Sequence, residues 1–289
     1  MQTNAPETMG VIYRLQLSQL HPHPQNPFSL RDDQAMLDLI QSVQSHGVLV
    51  PAIARPRPDG EYEIIAGHRR KHASELAGLD FMPVVVLDLN DDEAIIQLVD
   101  SNIQRENILP SERAKAYKMR MDAMKRQGAR TDLTSPNISA KFRSDDELGQ
   151  EVGVSGDTIR NYASLTNLVP ELMQMVDEGR IKLSPAYQIA ALPHNEQSLL
   201  LDTIESEQAT PSLSQAQRMK RLSQNGELNE DVLLEIMMEQ KKPVRNDIIL
   251  SGEKLRKFFP KSYSPIQMEN VIFKLLEAWQ RKRQRDQSR

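Results

Sequence analysis

Ile64-Ile65-Ala66-Gly67-His68-Arg69-Arg70-Lys71-His72-Ala73 is the stretch on which the choice of fold turns. An apolar run over residues 62–66 ends at a glycine, and two arginines follow where residues 73–77 mark an opening helix. Free backbone N–H groups at a helix N-terminus, a glycine that permits close approach and guanidinium forks together suit a polyphosphate. A solvated basic helix start has the same composition, so the stretch needs company. Two further segments supply it: Asp100-Ser101-Asn102-Ile103-Gln104-Arg105-Glu106-Asn107-Ile108-Leu109-Pro110 downstream and Leu20-His21-Pro22-His23-Pro24-Gln25-Asn26-Pro27 upstream.

Around this stretch the periodicities predict a small α+β domain. Met36, Leu39, Ile40 and Val43 recur at helical spacing over residues 31–46, opened by Asp32 and Asp33 and closed by Gly47. Residues 48–55 and 62–66 read as a hairpin about Pro58-Asp59-Gly60, and residues 81–89, with Val84, Val85 and Val86, as a buried strand. Asp91 is expected to cap a helix carrying Asn102 and Arg105 near its end, and Ser111 to cap the next, which should stop at Gly128. Residues 128–144 lack periodicity and read as a loop.

Residues 145–162 form the second informative region. Glu147-Leu148-Gly149-Gln150-Glu151-Val152-Gly153-Val154-Ser155-Gly156-Asp157-Thr158-Ile159-Arg160-Asn161-Tyr162 has the helix, glycine turn and Ser-capped helix of a helix-turn-helix. Leu148, Val152, Val154 and Ile159 should join the helices, leaving Ser155, Thr158, Arg160, Asn161 and Tyr162 as the DNA-facing set. Asp157 suits orienting an arginine or selecting against a base. The same pattern also serves as a plain structural helix pair. Further helices are expected over residues 165–179, 186–192 behind Ser184-Pro185, 195–207, 212–224 and 229–241. A last one starts at Ser264-Pro265, with a seam of Met268, Ile272, Leu275 and Trp279.

Composition narrows the function classes. At 289 residues the chain should hold two or three domains, and a hydrophobic content of 39% with 4% aromatics fits small helical domains joined by polar joints. With no cysteine there is no disulfide frame, thiolate metal site or cysteine nucleophile. No secretory signal or membrane-length run is evident, so a soluble, cytoplasmic protein is expected. The net charge of -4 hides segregation: residues 113–143 carry nine Lys/Arg against two Asp/Glu, and residues 281–289 five against one. Such runs suit phosphate-backbone contact, although most charge runs are solvated faces.

The ordered set of a Pro-rich entry, Gly67-His68-Arg69-Arg70 after a strand, the Asn102 to Arg105 box and a helix-turn-helix resembles the ParB partition-protein family over about residues 11–192. The resemblance implies a CTP-binding, DNA-clamping domain at 1–110, a helical DNA-binding domain at 111–225 with its helix-turn-helix near 145–165, and a helical C-terminal region at 226–289 able to self-associate. In relatives the segment matching Leu183-Ser184-Pro185-Ala186-Tyr187 supports the DNA face. The resemblance further implies that Gly67, His68, Arg69 and Arg70 hold the triphosphate, that Asn102 and Arg105 complete the pocket, and that Asn102 helps position Mg²⁺. Double-stranded DNA, a second copy of the chain and a ParA-type ATPase are the implied partners. The departure of the central and C-terminal parts from chromosomal relatives suggests a plasmid or integrative element.

Two departures bear on chemistry. Ser101 stands where the family has a glutamate linked to Mg²⁺ and CTP hydrolysis, so nucleotide binding is expected to outlast turnover and no catalytic residue is assigned; Asp100 and Glu106 are the neighbouring carboxylates. Val50 stands where many relatives carry a polar residue before Pro51. The family's N-terminal fold also resembles sulfiredoxin, whose cysteine chemistry this chain lacks. Two alternatives remain: a nucleotide-independent helix-turn-helix transcription or replication regulator, and a ParB-like nuclease, for which no dense carboxylate cluster is present. His68 and His72 have the i,i+4 spacing of zinc ligands without a third ligand.

Overall fold

A computed structural model of the chain describes residues 11–105, 108–132, 144–239, 255–260 and 262–287. They fall into two compact units, Met1–Glu239 and Gln240–Arg289.

The first unit opens with a five-stranded mixed sheet of order β1-β5-β3-β4-β2, built from β1 (Ile12–Gln16), β2 (Leu20–Pro22), β3 (Ala52–Pro56), β4 (Tyr62–Ala66) and β5 (Phe81–Val86). β3 and β4 are antiparallel, with Gly60 between them at a φ of 84°. β1 runs antiparallel to β5, while β2 pairs parallel with β4 and β5 parallel with β3. Successive strand side chains point to opposite faces, so β4 serves two cores. Ile64 joins Leu17, Leu20, Ala52 and Val84, and Ile65 joins Ala94, Leu98 and Val99. Helices α1 (Gln34–His46) and α2 (His68–Leu76) pack on one another through Met36, Val43 and Ala73, and α3 (Asp91–Asp100) packs on β4.

Several boundaries differ from the sequence expectation. β3 begins at Ala52, not at residue 48. Leu49 and Val50 are exposed, and the carbonyls of Val50 and Pro51 accept hydrogen bonds from Arg70 instead of a strand. Asn90, not Asp91, caps α3: its Oδ1 accepts the N–H groups of Asp92 and Glu93, and Glu93 accepts the Asn90 N–H. Asn102 and Arg105 lie in the turn beyond that helix. Ser111 sits inside α4 (Pro110–Asp132), whose Pro110 loses no intrahelical bond at the first position; the Ser111 N–H donates to Asp177. α4 passes through Gly128 to Asp132, and the rest of the expected loop, 133–143, lies outside the described residues.

α4 also carries the chain into the helical region. α5 (Ser144–Val152) and α6 (Gly156–Ser164) make the helix-turn-helix. Gly149 is required at their crossing, because a Cβ there would lie 2.6 Å from the Val154 carbonyl oxygen. Ser155 caps α6 by accepting the Thr158 N–H. Leu148 and Ile159 are fully buried, whereas the Val154 side chain stays exposed at the turn and its N–H donates to the Gly149 carbonyl. Tyr117 of α4 shares one core with Leu148 and Ile159, and with Leu98 and Val99 of α3. The helices α7 (Pro170–Asp177), α8 (Leu183–Ile189), α9 (His194–Glu207), α10 (Leu213–Gln224) and α11 (Glu230–Met238) close over a second core of Leu172, Ile189, Leu200, Met219 and Ile236. Lys182 caps α8, so Ser184 and Pro185 fall in its first turn.

In the second unit α12 (Pro265–Gln287) begins beyond Ser264, whose N–H donates to Gln267. Met268 is buried and Ile272 partly so, while Leu275, Leu276 and Trp279 are exposed. Among the described residues no helix is long and apolar enough to cross a membrane.

Candidate functional site

β4 delivers the chain to Gly67, whose φ of 109° lies in the left-handed region. A Cβ there would sit 2.8 Å from Ala52 Cβ on β3, so the position admits only glycine. α2 therefore starts hard against the sheet, with its first N–H groups lacking intrahelical acceptors.

Beside this start lies a cavity of about 250 Å³ lined by Ser29, Arg31, Asp33, Ala35, Arg69, Arg105, Ile108 and Glu112. Three guanidinium groups from three separate segments line it. Asp33 caps α1 and accepts a hydrogen bond from Arg69 at 3.1 Å; that bond holds its carboxyl below the usual range. Burial pushes the Glu112 carboxyl up, but Ser29, the Leu109 N–H and Arg31 together outweigh it and hold the group ionised. The Ser29 N–H donates to Glu112 at 3.0 Å, and Arg31 lies 3.6 Å away. Burial, and next to it the Arg69 charge, weaken the hold of Arg105 on its proton. An entering anion would relieve both effects, which is the electrostatic condition for a phosphate site.

The sequence-predicted residues divide. Arg69 and Arg105 meet here, while Gly67 precedes α2 and is not among the lining residues. Arg70 does not: its Nη1 donates to the Val50 and Pro51 carbonyls at 2.6 Å each, pinning the 48–51 loop. His68 is turned inward, with Nε2 buried and lacking a hydrogen-bond partner. Burial first, then the charges of His23, Lys71 and Arg105, push its pKa down to about 4, so the ring is neutral. Asn102 donates to the Leu98 carbonyl and to Ser101, and its Oδ1 accepts from Arg105 at 3.3 Å. It thus orients an arginine. The Ser101 hydroxyl donates to the Leu98 carbonyl, and Asp100 is paired with Arg120, so neither offers a free carboxylate; Glu106 lies outside the described residues. His72 pairs with Asp32 at 3.1 Å, and among the described residues no group of three metal-ligating side chains converges.

On the helix-turn-helix, Ser155 and Asn161 are exposed, and Thr158 and Arg160 partly so. Arg160 is held between Asp145 and Asp157. Tyr162, expected on the exposed side, faces inward instead. It meets Tyr117 and Tyr187 edge-on at 5.7 and 5.9 Å, with the Arg113 guanidinium 5.5 Å from its ring centroid. The basic count of α4 is likewise reduced by internal pairing: Arg113 stacks on Tyr162, Arg120 is buried against Asp100 and Glu151, and Arg126 pairs with Asp92. Lys115, Lys118 and Lys125 keep exposed positions.

Sequence reasoning missed Arg31, Ser29 and Glu112 in the cavity, and Asp145 beneath Arg160. Asp33 was visible as a helix cap but not as the counter-ion of Arg69. A sequence signal existed only for Glu112, an acidic residue in a first helical turn directly behind the Asn102 to Pro110 box.

Residues 1–103 match the ParB N-terminal domain and residues 137–223 the ParB HTH domain. The chain is 31% identical over 187 residues to the chromosome-partitioning protein Spo0J of Thermus thermophilus, covering 65% of this chain and 62% of that protein. It is 29% identical over 245 residues to the stage 0 sporulation protein J of Bacillus subtilis, covering 84% and 77%. With the Thermus protein and a Deinococcus radiodurans ParB, of which 61% is covered, the match spans less than two thirds of the relative's length. Among solved structures, C-terminally truncated Caulobacter crescentus ParB complexed to the centromeric parS site is 24% identical, at a TM-score of 0.45 over 74% of this chain and 99% of that one.

Proposed function

Because this chain belongs to the ParB family, with the ParB N-terminal domain ahead of the ParB helix-turn-helix domain, we propose that it is a DNA-binding partition protein acting as a CTP-dependent DNA clamp. The observation that carries the nucleotide half is the convergence of Arg31, Arg69 and Arg105 on a cavity at the start of α2. These residues fit a triphosphate: three guanidinium forks and unsatisfied helix N–H groups match its charge and oxygens. Mg²⁺ would come with the phosphates, and Asn102 Oδ1 is the amide oxygen at hand, on condition that it leaves Arg105.

The same geometry supports transmission to the DNA-binding part. Glu112, which answers Ser29 and Arg31 at the cavity, stands in the first turn of α4, and α4 packs on α6 through Tyr117 and Tyr162. A ligand that draws Arg31 away from Glu112 therefore acts on the helix that carries the reading head. With Ser101 lacking a carboxylate and Asp100 tied to Arg120, the site is one that holds nucleotide and turns it over weakly. The exposed apolar residues of α12, Leu275, Leu276 and Trp279, supply a self-association seam for a dimer. A ParA-type ATPase is the partner this reading implies.

The test is binding of radiolabelled CTP, ATP, GTP and UTP to the wild type and to Arg69→Ala, with and without duplex DNA. CTP binding selective over the others and lost in Arg69→Ala supports the clamp. DNA binding without any nucleotide binding leaves the second reading, a nucleotide-independent regulator, which the internal neutralisation of Arg69 by Asp33 favours.

A further inference from the structure

Most cations of α4 are spent inside the protein: Arg120 is buried against Asp100 and Glu151, and Arg126 pairs with Asp92. Lys115 and Lys118 differ. Both are exposed, one turn apart, and they line one groove of about 490 Å³ between α4 and the turn at residues 24–27 of the N-terminal domain. Asp122 is the acid on its lining, and Lys125 answers that charge at 4.0 Å. Two ammonium groups therefore face the groove without a carboxylate to balance them.

The remaining polar groups on the groove are arranged as donors. Lys118 Nζ donates to the Thr166 hydroxyl at 3.2 Å, and that hydroxyl donates in turn to the Ala163 carbonyl at 2.8 Å. One ammonium N–H is used and two are left. Asn26 Oδ1 accepts the Phe28 N–H, which fixes the turn and leaves Nδ2 as a further donor. Positive charge with several N–H groups suits an anion bearing several oxygens.

The position of Thr166 says which anion. It lies two residues beyond the end of α6, the second helix of the helix-turn-helix. The first residues of such a helix meet base edges in the major groove. The nine residues of α6 carry its far end about 13 Å away, roughly one major-groove width. A duplex backbone passes there. We propose that the groove takes a phosphate of the DNA backbone beside the C-terminal end of α6, with Lys115 and Lys118 supplying the charge and Asn26 a neutral donor from the N-terminal domain. This rests on the DNA-binding reading above, and it adds a contact through which both domains hold one duplex.

The experiment measures affinity for a duplex of random sequence against salt, with no nucleotide added, for the full-length wild type, the double variant Lys115→Gln/Lys118→Gln and Lys125→Gln, with folding followed by thermal melting. Losing one phosphate contact lowers the slope of log affinity against log salt by about 0.9, which at about 0.1 M salt is a loss of roughly 8-fold. The double variant should show that fall while melting as the wild type does, and should select the same site from a randomised library, because a phosphate carries no sequence. Lys125→Gln, whose charge is answered by Asp122, should keep the wild-type slope. An unchanged slope in the double variant overturns the proposal. An equal fall in Lys125→Gln overturns it as well, since the effect then belongs to the net charge of α4, and so does a changed selected site, which would mean a base contact. If the wild type binds no duplex, the proposal falls together with the DNA-binding reading, an outcome distinct from the others.

Discussion

Asp33 and Arg69 are joined across α1 and α2 by a 3.1 Å hydrogen bond, and the same Asp33 oxygen accepts the Met36 N–H that caps α1. A polyphosphate arriving at Arg69 competes with a carboxylate already bound there. Asparagine caps helices as well as aspartate does but carries no charge. Asp33→Asn should therefore leave α1 intact and tighten nucleotide binding severalfold at low salt. Isothermal titration with CTP checks it; an unchanged or weaker affinity would show that Asp33 orients Arg69 instead of competing for it.

Arg69 and Arg70 are neighbours with separate tasks, one facing the cavity and one holding the 48–51 loop through two carbonyls. Arg69→Ala should abolish nucleotide binding with little change in melting temperature. Arg70→Ala leaves two backbone acceptors without their charged donor, a loss of about 1.5–3 kcal/mol each at most. Chemical denaturation should show that loss, with any fall in nucleotide binding following from it.

Much of this arrangement was legible in the sequence because it depends on local signals. Gly67 before two arginines, Ser155 as a cap and the apolar run over residues 62–66 each specify a short piece of backbone, and each piece forms. Long-range partners carry no such signal. Nothing near Arg70 in sequence says that its acceptors are Val50 and Pro51, and nothing near Arg31 says that Glu112 answers it. Tyr162 shows the same gap from the other side: on helical spacing it belongs with Thr158 and Asn161, but two tyrosines from α4 and α8 capture its ring.

His68 gives a pH prediction with a definite sign. Its folded pKa is about 4, against 6.5 for the free side chain. Protons therefore bind the unfolded chain more readily between those values, and stability falls as pH drops from 6.5 towards 4, by up to roughly 3 kcal/mol. Asp33 and Glu112 have lowered carboxyl pKa values, so the stability they add is lost only at still lower pH. His68→Gln should flatten the fall in melting temperature over pH 6.5–4 and leave the lower limb unchanged; equal slopes in both proteins would remove His68 as its source.

Tyr162 supplies the last test, because the structure moves it from the DNA face to the junction of α4, α6 and α8. Its ring packs edge-on against Tyr117 and Tyr187 and beneath Arg113, while its hydroxyl lies 3.5 Å from Arg113 Nη1, at the limit of a hydrogen bond. The hydroxyl also bonds Tyr187, so removing it costs about one ordinary hydrogen bond, whereas removing the ring opens a gap in a shared core. Tyr162→Phe should bind DNA as the wild type does, with stability within about 1 kcal/mol of it. Tyr162→Ala should lose about 2–4 kcal/mol and lose DNA binding only under conditions where melting shows the helical region unfolding. If Tyr162→Phe instead keeps wild-type stability and loses affinity for DNA, the hydroxyl contacts the duplex, and α6 must turn on binding to bring it there.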